Sequence, residues 1–239
     1  MSLLPTIDTP TYTITLPVSK QEIKFRPYVV KEQKVLLMAI ESKDPEAIIE
    51  AIKQIVDNCV LTKINARLLP AVDIEFIFYN LRARSQSETV DLKYKCNNIV
   101  KGESCGGIMR HKLNILTDLQ ISEAFPQIIK LTDNFGVKLN FQKFEYNAIA
   151  SDYPTPEEEF NLVAKNIDYL YDEKATYSSQ DIPISELVDW LGNLTMEQYS
   201  KIAEFYLNEP KIYKKLDLTC KKCNMEHHLN VEDIFDFFE

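Results

Sequence analysis

The sequence predicts an α+β fold, and three observations carry the prediction. Alternating polar and apolar runs flank turn residues near the N-terminus and again around residue 134. Between and beyond these runs lie stretches whose apolar residues recur every three to four positions, the spacing of amphipathic helices. Two short cysteine segments, far apart in the chain, repeat one pattern: an alternating strand, a cysteine pair around a turn, and a second strand ending in His-x-Leu-Asn-Ile/Val. The first runs from Leu92 through Cys96 and Cys105 to Ile115, the second from Leu216 through Cys220 and Cys223 to Val231. If the two knuckles meet, they form a zinc-ribbon-like module, with a mainly helical insertion between its halves.

Taken in order, Tyr12 to Leu16 and Glu22 to Tyr28 alternate around Pro17-Val18-Ser19-Lys20 and predict a hairpin. Lys31 to Ser42 then reads as a helix with a wide apolar stripe of Val35, Leu36, Met38, Ala39 and Ile40. Asp44-Pro45 is a helix start, with an acidic N-cap and a proline at the first position. The helix to Asn58 places Ile48, Ile49, Ile52, Ile55, Val56 and Cys59 on one side, facing inward. Leu68 to Asp73 turns into a further helix, Ile74 to Arg84, whose last turn carries Arg82 and Arg84 where cations suit the helix dipole. After the first knuckle, Gln127–Leu131 and Val137–Phe144 alternate around Thr132 to Gly136 and predict a second hairpin.

The character changes at Ser151 to Pro156. Thr155-Pro156-Glu157-Glu158 is a capping-box start, and the helix is expected to run to about Asp172. Polar Glu173 to Asp181 reads as a loop, Pro183 to Leu191 as a short helix, and Thr195 to Asn208 as a capped helix ended by Glu209-Pro210. Four regions result: an N-terminal α+β region at 1–90, the first knuckle and a hairpin at 91–150, a helical insertion at 151–210, and the second knuckle with a Phe-rich tail at 211–239.

Composition narrows the class. The chain has 239 residues, 45% of them hydrophobic, enough for a substantial core. No stretch approaches the roughly 20 apolar residues of a membrane span. The opening Met1-Ser2-Leu3-Leu4-Pro5 has neither a basic n-region nor a long apolar run, so no signal peptide is expected and a cytosolic site of synthesis is. In a reducing compartment, cysteine pairs read as metal-binding or redox-active rather than as a disulfide framework.

The net charge of −9 argues against a general nucleic-acid binder. The charge is uneven, however: Lys93, Lys95, Lys101, Arg110 and Lys112 stand against only Asp91 and Glu103 around the first knuckle. These cations either offset thiolate charge and solvate exposed strands or form a contact surface for an acidic partner.

Cys220-x-x-Cys223 lies between two apparent strands, where two thiolates can converge on one metal. Cys96 and Cys105 are separated by eight residues, a polar, glycine-containing loop inserted into a knuckle. Cys96, Cys105, Cys220 and Cys223 are therefore the candidate ligands of a structural zinc ion, the four that a closed tetrahedral site needs. The alternatives are four free thiols in two hairpins, or a redox pair. Cys59 reads as a core residue. His111, His227 and His228 are the only histidines; any could replace a cysteine, although His227 and His228 point to opposite faces of a strand. A catalytic zinc needs an open position, and four cysteines favour closure. No phosphate-binding glycine loop, GxSxG, HExxH or serine-centred triad is present. The tail Val231 to Glu239 alternates acids with Ile234, Phe235, Phe237 and Phe238 and reads either as a segment folded onto its own core or as an amphipathic docking peptide.

Several segments carry a family resemblance. Thr9 to Tyr12 with Leu16-Pro17, Ile23 to Ala39, Ala51 to Cys59, Leu81 to Ser85, Leu92 to Cys96, and the ending Cys220-Lys221-Lys222-Cys223 with Asp236-Phe237-Phe238 resemble the baseplate hub proteins of T-even-like contractile-tailed bacteriophages. The similarity is collinear over nearly the whole chain. It implies a viral protein made in the bacterial host cytoplasm that acts in assembly of the central hub, as hub subunit or assembly chaperone. Its partners would be other baseplate hub and tail proteins; self-association and presence in the virion stay open. The resemblance brings no catalytic residues, so a non-enzymatic role is expected. A zinc-ribbon nucleic-acid binder is the alternative.

Overall fold

The computed structural model describes residues 8–145, 155–232 and 234. It has mixed helix and sheet, an α+β fold, and divides into two compact units: residues 1–122 with 211–239, and residues 123–210.

The first unit opens with the expected hairpin, β1 (Tyr12–Thr15) and β2 (Glu22–Phe25), paired antiparallel. Helix α1 (Val30–Ser42) follows. It buries only Glu32 and Leu36, so the apolar stripe is narrower than predicted, and Met38 is exposed. Glu32 is held at that depth by Arg26 at 2.9 Å and by the Val29 N–H, which caps the helix. Helix α2 (Pro45–Cys59) starts as predicted, with the Asp44 carboxylate accepting the Glu46 N–H. Its predicted inner face is buried throughout, Cys59 included. Each such aliphatic side chain contributes about 1.5–3 kcal/mol when fully buried. Helix α3 (Ala71–Ser85) packs on the same core through Ile74, Ile77, Phe78 and Leu81. Asp73 near its start is fully buried and accepts the N–H groups of Val18 and Ser19, which fastens the turn between β1 and β2 to the helix.

Next come β3 (Thr89–Lys95), the short pair β4 (Ile99–Val100) and β5 (Glu103–Ser104), β6 (Ile108–Asn114) and β7 (Gln120–Ile121). Strands β3 and β6 pair along their whole length, from Thr89 opposite Asn114 to Lys95 opposite Ile108.

The second unit contains β8 (Ile128–Lys130), β9 (Phe135–Leu139), helix α4 (Pro156–Lys165), β10 (Ile167–Asp172), β11 (Thr176–Ser178), α5 (Ile184–Gly192) and α6 (Met196–Leu207). The strands form one antiparallel sheet in the order β11-β10-β9-β8. The segment between the knuckles holds the three expected helices, and with them strands that the sequence reading missed. The capping box at Thr155 and Glu158 forms, but the helix stops at Lys165 and residues expected to continue it become a strand. Asn166 ends the helix, and its side-chain N–H bonds back to the Leu162 carbonyl. Beyond it, Ile-Asp-Tyr-Leu-Tyr-Asp has a β-forming composition and finds β9 as a partner. That pairing also brings the hairpin at 128–139 into the same unit as the three helices. Part of the predicted loop, Thr176–Ser178, is likewise a strand. The unit's core centres on Val137, Leu139, Ile167, Leu187, Leu191, Ile202 and Phe205.

The chain re-enters the first unit at β12 (Ile212–Thr219), which pairs with β7 and with β13 (Glu226–Val231). Of the tail, Ile234 is buried and Phe235–Glu239 lie outside the described residues. No helix among the described residues is long and apolar enough to cross a membrane.

Candidate metal centre

The hairpin β3–β6 carries Cys96 and Cys105 at its tip, and the hairpin β12–β13 carries Cys220 and Cys223. The fold brings the two tips together. All four sulfurs lie within 4.8 Å of one another; Cys96 Sγ is 3.6 Å from Cys223 Sγ and Cys105 Sγ is 3.8 Å from Cys220 Sγ. These distances far exceed the ~2.0 Å of a disulfide, and all four cysteines are free. A zinc ion bound to sulfur at about 2.3 Å spaces its thiolates about 3.8 Å apart. The four residues fit such an ion, and the cluster can hold a metal.

Both hairpins build the site in the same way. At each cysteine the sulfur accepts the backbone N–H two residues further on: Asn98 for Cys96, Gly107 for Cys105, Lys222 for Cys220 and Met225 for Cys223. In the second hairpin Cys220 N–H bonds to Met225 O and Asn224 adopts a left-handed φ of 58°. In the first, the extra residues close on themselves. Cys105 N–H bonds to Asn98 O at 2.7 Å, β4 pairs with β5, and Lys101 and Gly102 form the turn with φ of 54° and 87°. Cys96 N–H then bonds to Gly107 O, and Gly106, at φ 62°, returns the chain to β6.

The electrostatics match the chemistry. Burial pushes the Cys96 thiol up to about 12, despite the Asn98 N–H. The Gly107 N–H draws the Cys105 thiol down, but burial and the neighbouring thiols leave it above its ordinary value. The N–H groups of Lys222 and Cys223 lower Cys220, and the Asn98 side chain, with the Met225 N–H, lowers Cys223 to about 6. Four thiolates cannot share this pocket without a cation, whereas a bound dication deprotonates coordinating thiols outright.

Three contributors escaped the sequence reading. The side-chain amide of Asn98 donates to Cys223 Sγ at 3.5 Å, bridging the two hairpins. Lys222 Nζ donates to the Cys105 carbonyl, a second bridge. A Cβ at Gly107 would stand 2.6 Å from Cys220 Sγ, so only glycine lets the second hairpin approach. The adjacent Gly106-Gly107 was the one available signal. Of the histidines, His227 Nε2 lies 3.2 Å from Cys96 Sγ, and His228 faces away, bonded to Asp217 at 2.6 Å, which raises its pKa. Among the described residues the group of converging ligand atoms is the four cysteines, without a histidine.

The fold is α+β, and its distant cysteine hairpins meet at one four-sulfur point that can hold a metal ion. A family model described as T4 bacteriophage base plate protein matches residues 9–239, and the chain belongs to that family. No curated protein and no solved structure matches it.

Proposed function

We propose that the chain is a non-enzymatic assembly protein of the phage baseplate's central hub, acting as hub subunit or assembly chaperone through protein–protein contacts. In this reading Cys96, Cys105, Cys220 and Cys223 hold a structural zinc ion, and the two hairpins form a zinc ribbon. The observation that carries the reading is the family match over residues 9–239, with four sulfurs converging from two hairpins far apart within it. The metal supplies charge neutralisation and cross-linking. The protein supplies the ligands, the N–H donors to each sulfur and the glycine that admits the second hairpin. The protein is made in the host cytoplasm and takes its place with the tail baseplate proteins.

A second reading draws on one feature of β3–β6. Lys93 stands directly opposite Arg110 on an exposed face that also carries Lys95 and Lys112, the latter opposite Asp91, and among the described residues none of the four cations is within ion-pair distance of a carboxylate. Like charges opposite one another destabilise a hairpin, so an anionic partner such as nucleic acid would relieve them. Co-expression with the remaining baseplate proteins of the same phage separates the readings. The hub reading expects co-purification with a hub protein, lost in Cys220→Ser. Failure to co-purify, together with steeply salt-dependent DNA binding, would overturn it in favour of the second.

A further inference from the structure

The second unit holds a cavity of about 490 Å³ between the β9–β10–β11 end of its sheet and helix α5. Its walls include four aromatic residues, Phe135, Tyr171, Tyr177 and Trp190, together with Leu187. Phe135 and Trp190 meet edge to face, with ring centroids 6.5 Å apart. Among the described residues, Asp172 and Glu186 are the carboxylates on the lining, which includes no cationic side chain; the cation acting on Asp172, Lys174, lies outside it. The carboxylates play different parts. Asp172 is fixed: one oxygen accepts the N–H groups of Lys174 and Ala175, the other the Tyr177 hydroxyl, and these bonds hold it below the usual carboxylate range. Glu186, exposed in the first turn of α5, has no hydrogen-bond or ion-pair partner among the described residues.

A cavity lined by aromatic rings, with fixed negative charge and no cation, is complementary to a cation with a flat, weakly hydrated surface. Ammonium fits the charge; guanidinium fits the charge, the flat rings and a two-oxygen acceptor together. We propose that this cavity receives an arginine side chain presented by a protein partner, its guanidinium against Trp190 and its N–H groups on Glu186. Trp, Tyr and Arg are enriched among the few residues that carry most of the energy of protein interfaces. The chain's own C-terminal tail is a poor occupant, because Glu232, Asp233, Asp236 and Glu239 would meet the two carboxylates. The cavity chemistry stands apart from the hub reading, which bears only on which protein brings the arginine.

Trp190 is the chain's single tryptophan, so its emission reports this cavity. The full-length protein is titrated with N-acetyl-arginine amide, with N-acetyl-lysine amide and with N-acetyl-citrulline amide, the neutral shape-mate of arginine. The arginine compound is expected to give a saturable change in Trp190 emission, the lysine compound a weaker one, and citrulline none. Glu186→Gln, on an exposed helical position, is expected to weaken the arginine response about tenfold with an unchanged melting temperature. Equal responses to arginine and citrulline, a stronger response to lysine, no response at all, or an arginine response indifferent to Glu186→Gln would each overturn the proposal. These outcomes are read on the isolated chain and do not depend on whether any hub protein co-purifies.

Discussion

The two cysteine hairpins differ in sequence and agree in geometry. Cys220 and Cys223 have two residues between them, in a turn with one left-handed residue, Asn224. Cys96 and Cys105 have eight residues between them, yet each sulfur of both pairs accepts the N–H two positions on. The difference is absorbed by a miniature hairpin, β4–β5, closed by the bond from Cys105 N–H to Asn98 O. A knuckle is thus defined by how its backbone faces the sulfurs, and the interval between cysteines is free to vary as long as the insertion closes on itself.

That equivalence can be broken most forcefully at the sulfurs. Cys96→Ser and Cys220→Ser are expected to be equally damaging, each abolishing metal binding. Because metal affinity becomes folding free energy, each is expected to lower the melting temperature by more than about 10 °C, as is treatment of the wild type with a strong chelator. A large effect at Cys220 with none at Cys96 would show that the longer hairpin contributes shape alone. Next in size is Gly107→Ala. Its Cβ would press on Cys220 Sγ, so metal affinity is expected to fall roughly tenfold to a hundredfold in an equilibrium competition with a chelating dye. Asn98→Ala removes the amide that bridges to Cys223 and is expected to cost roughly tenfold in the same assay. The smallest effect falls on the insertion itself. Gly102 has a φ of 87° and open space where a methyl group would stand, so Gly102→Ala is expected to cost about 1 kcal/mol by backbone strain while metal affinity stays unchanged.

How far the sequence could be read follows the same divide. The second hairpin was legible because its two cysteines, its alternation and its paired strands all lie within a short window. The four cysteines that converge and the strands of the first hairpin were legible too, since the flanking alternation survives the insertion. The roles of Asn98, Gly107 and Lys222 were not, because each acts on the other hairpin, and nothing local announces a contact between segments so far apart. The same reason explains β10. Thr155 and Glu158 announce a helix start clearly, but its end at Asn166 depends on a strand partner, β9, from another part of the chain. The buried Asp73, which holds the β1–β2 turn, is a third case: the N–H groups it accepts, at Val18 and Ser19, come from a distant turn. Local signals such as caps, alternation and helical stripes were readable, and pairings across the chain were not.

The central claim is that both hairpins ligate one metal ion. The most direct measurement is the absorption spectrum of the cobalt-substituted protein, with metal content determined on the same sample. One cobalt per chain with intense sulfur-to-metal charge transfer and a tetrahedral d–d band is expected, both lost in Cys96→Ser and in Cys220→Ser alike. A protein that binds no metal and melts at the same temperature with and without chelator would contradict the account.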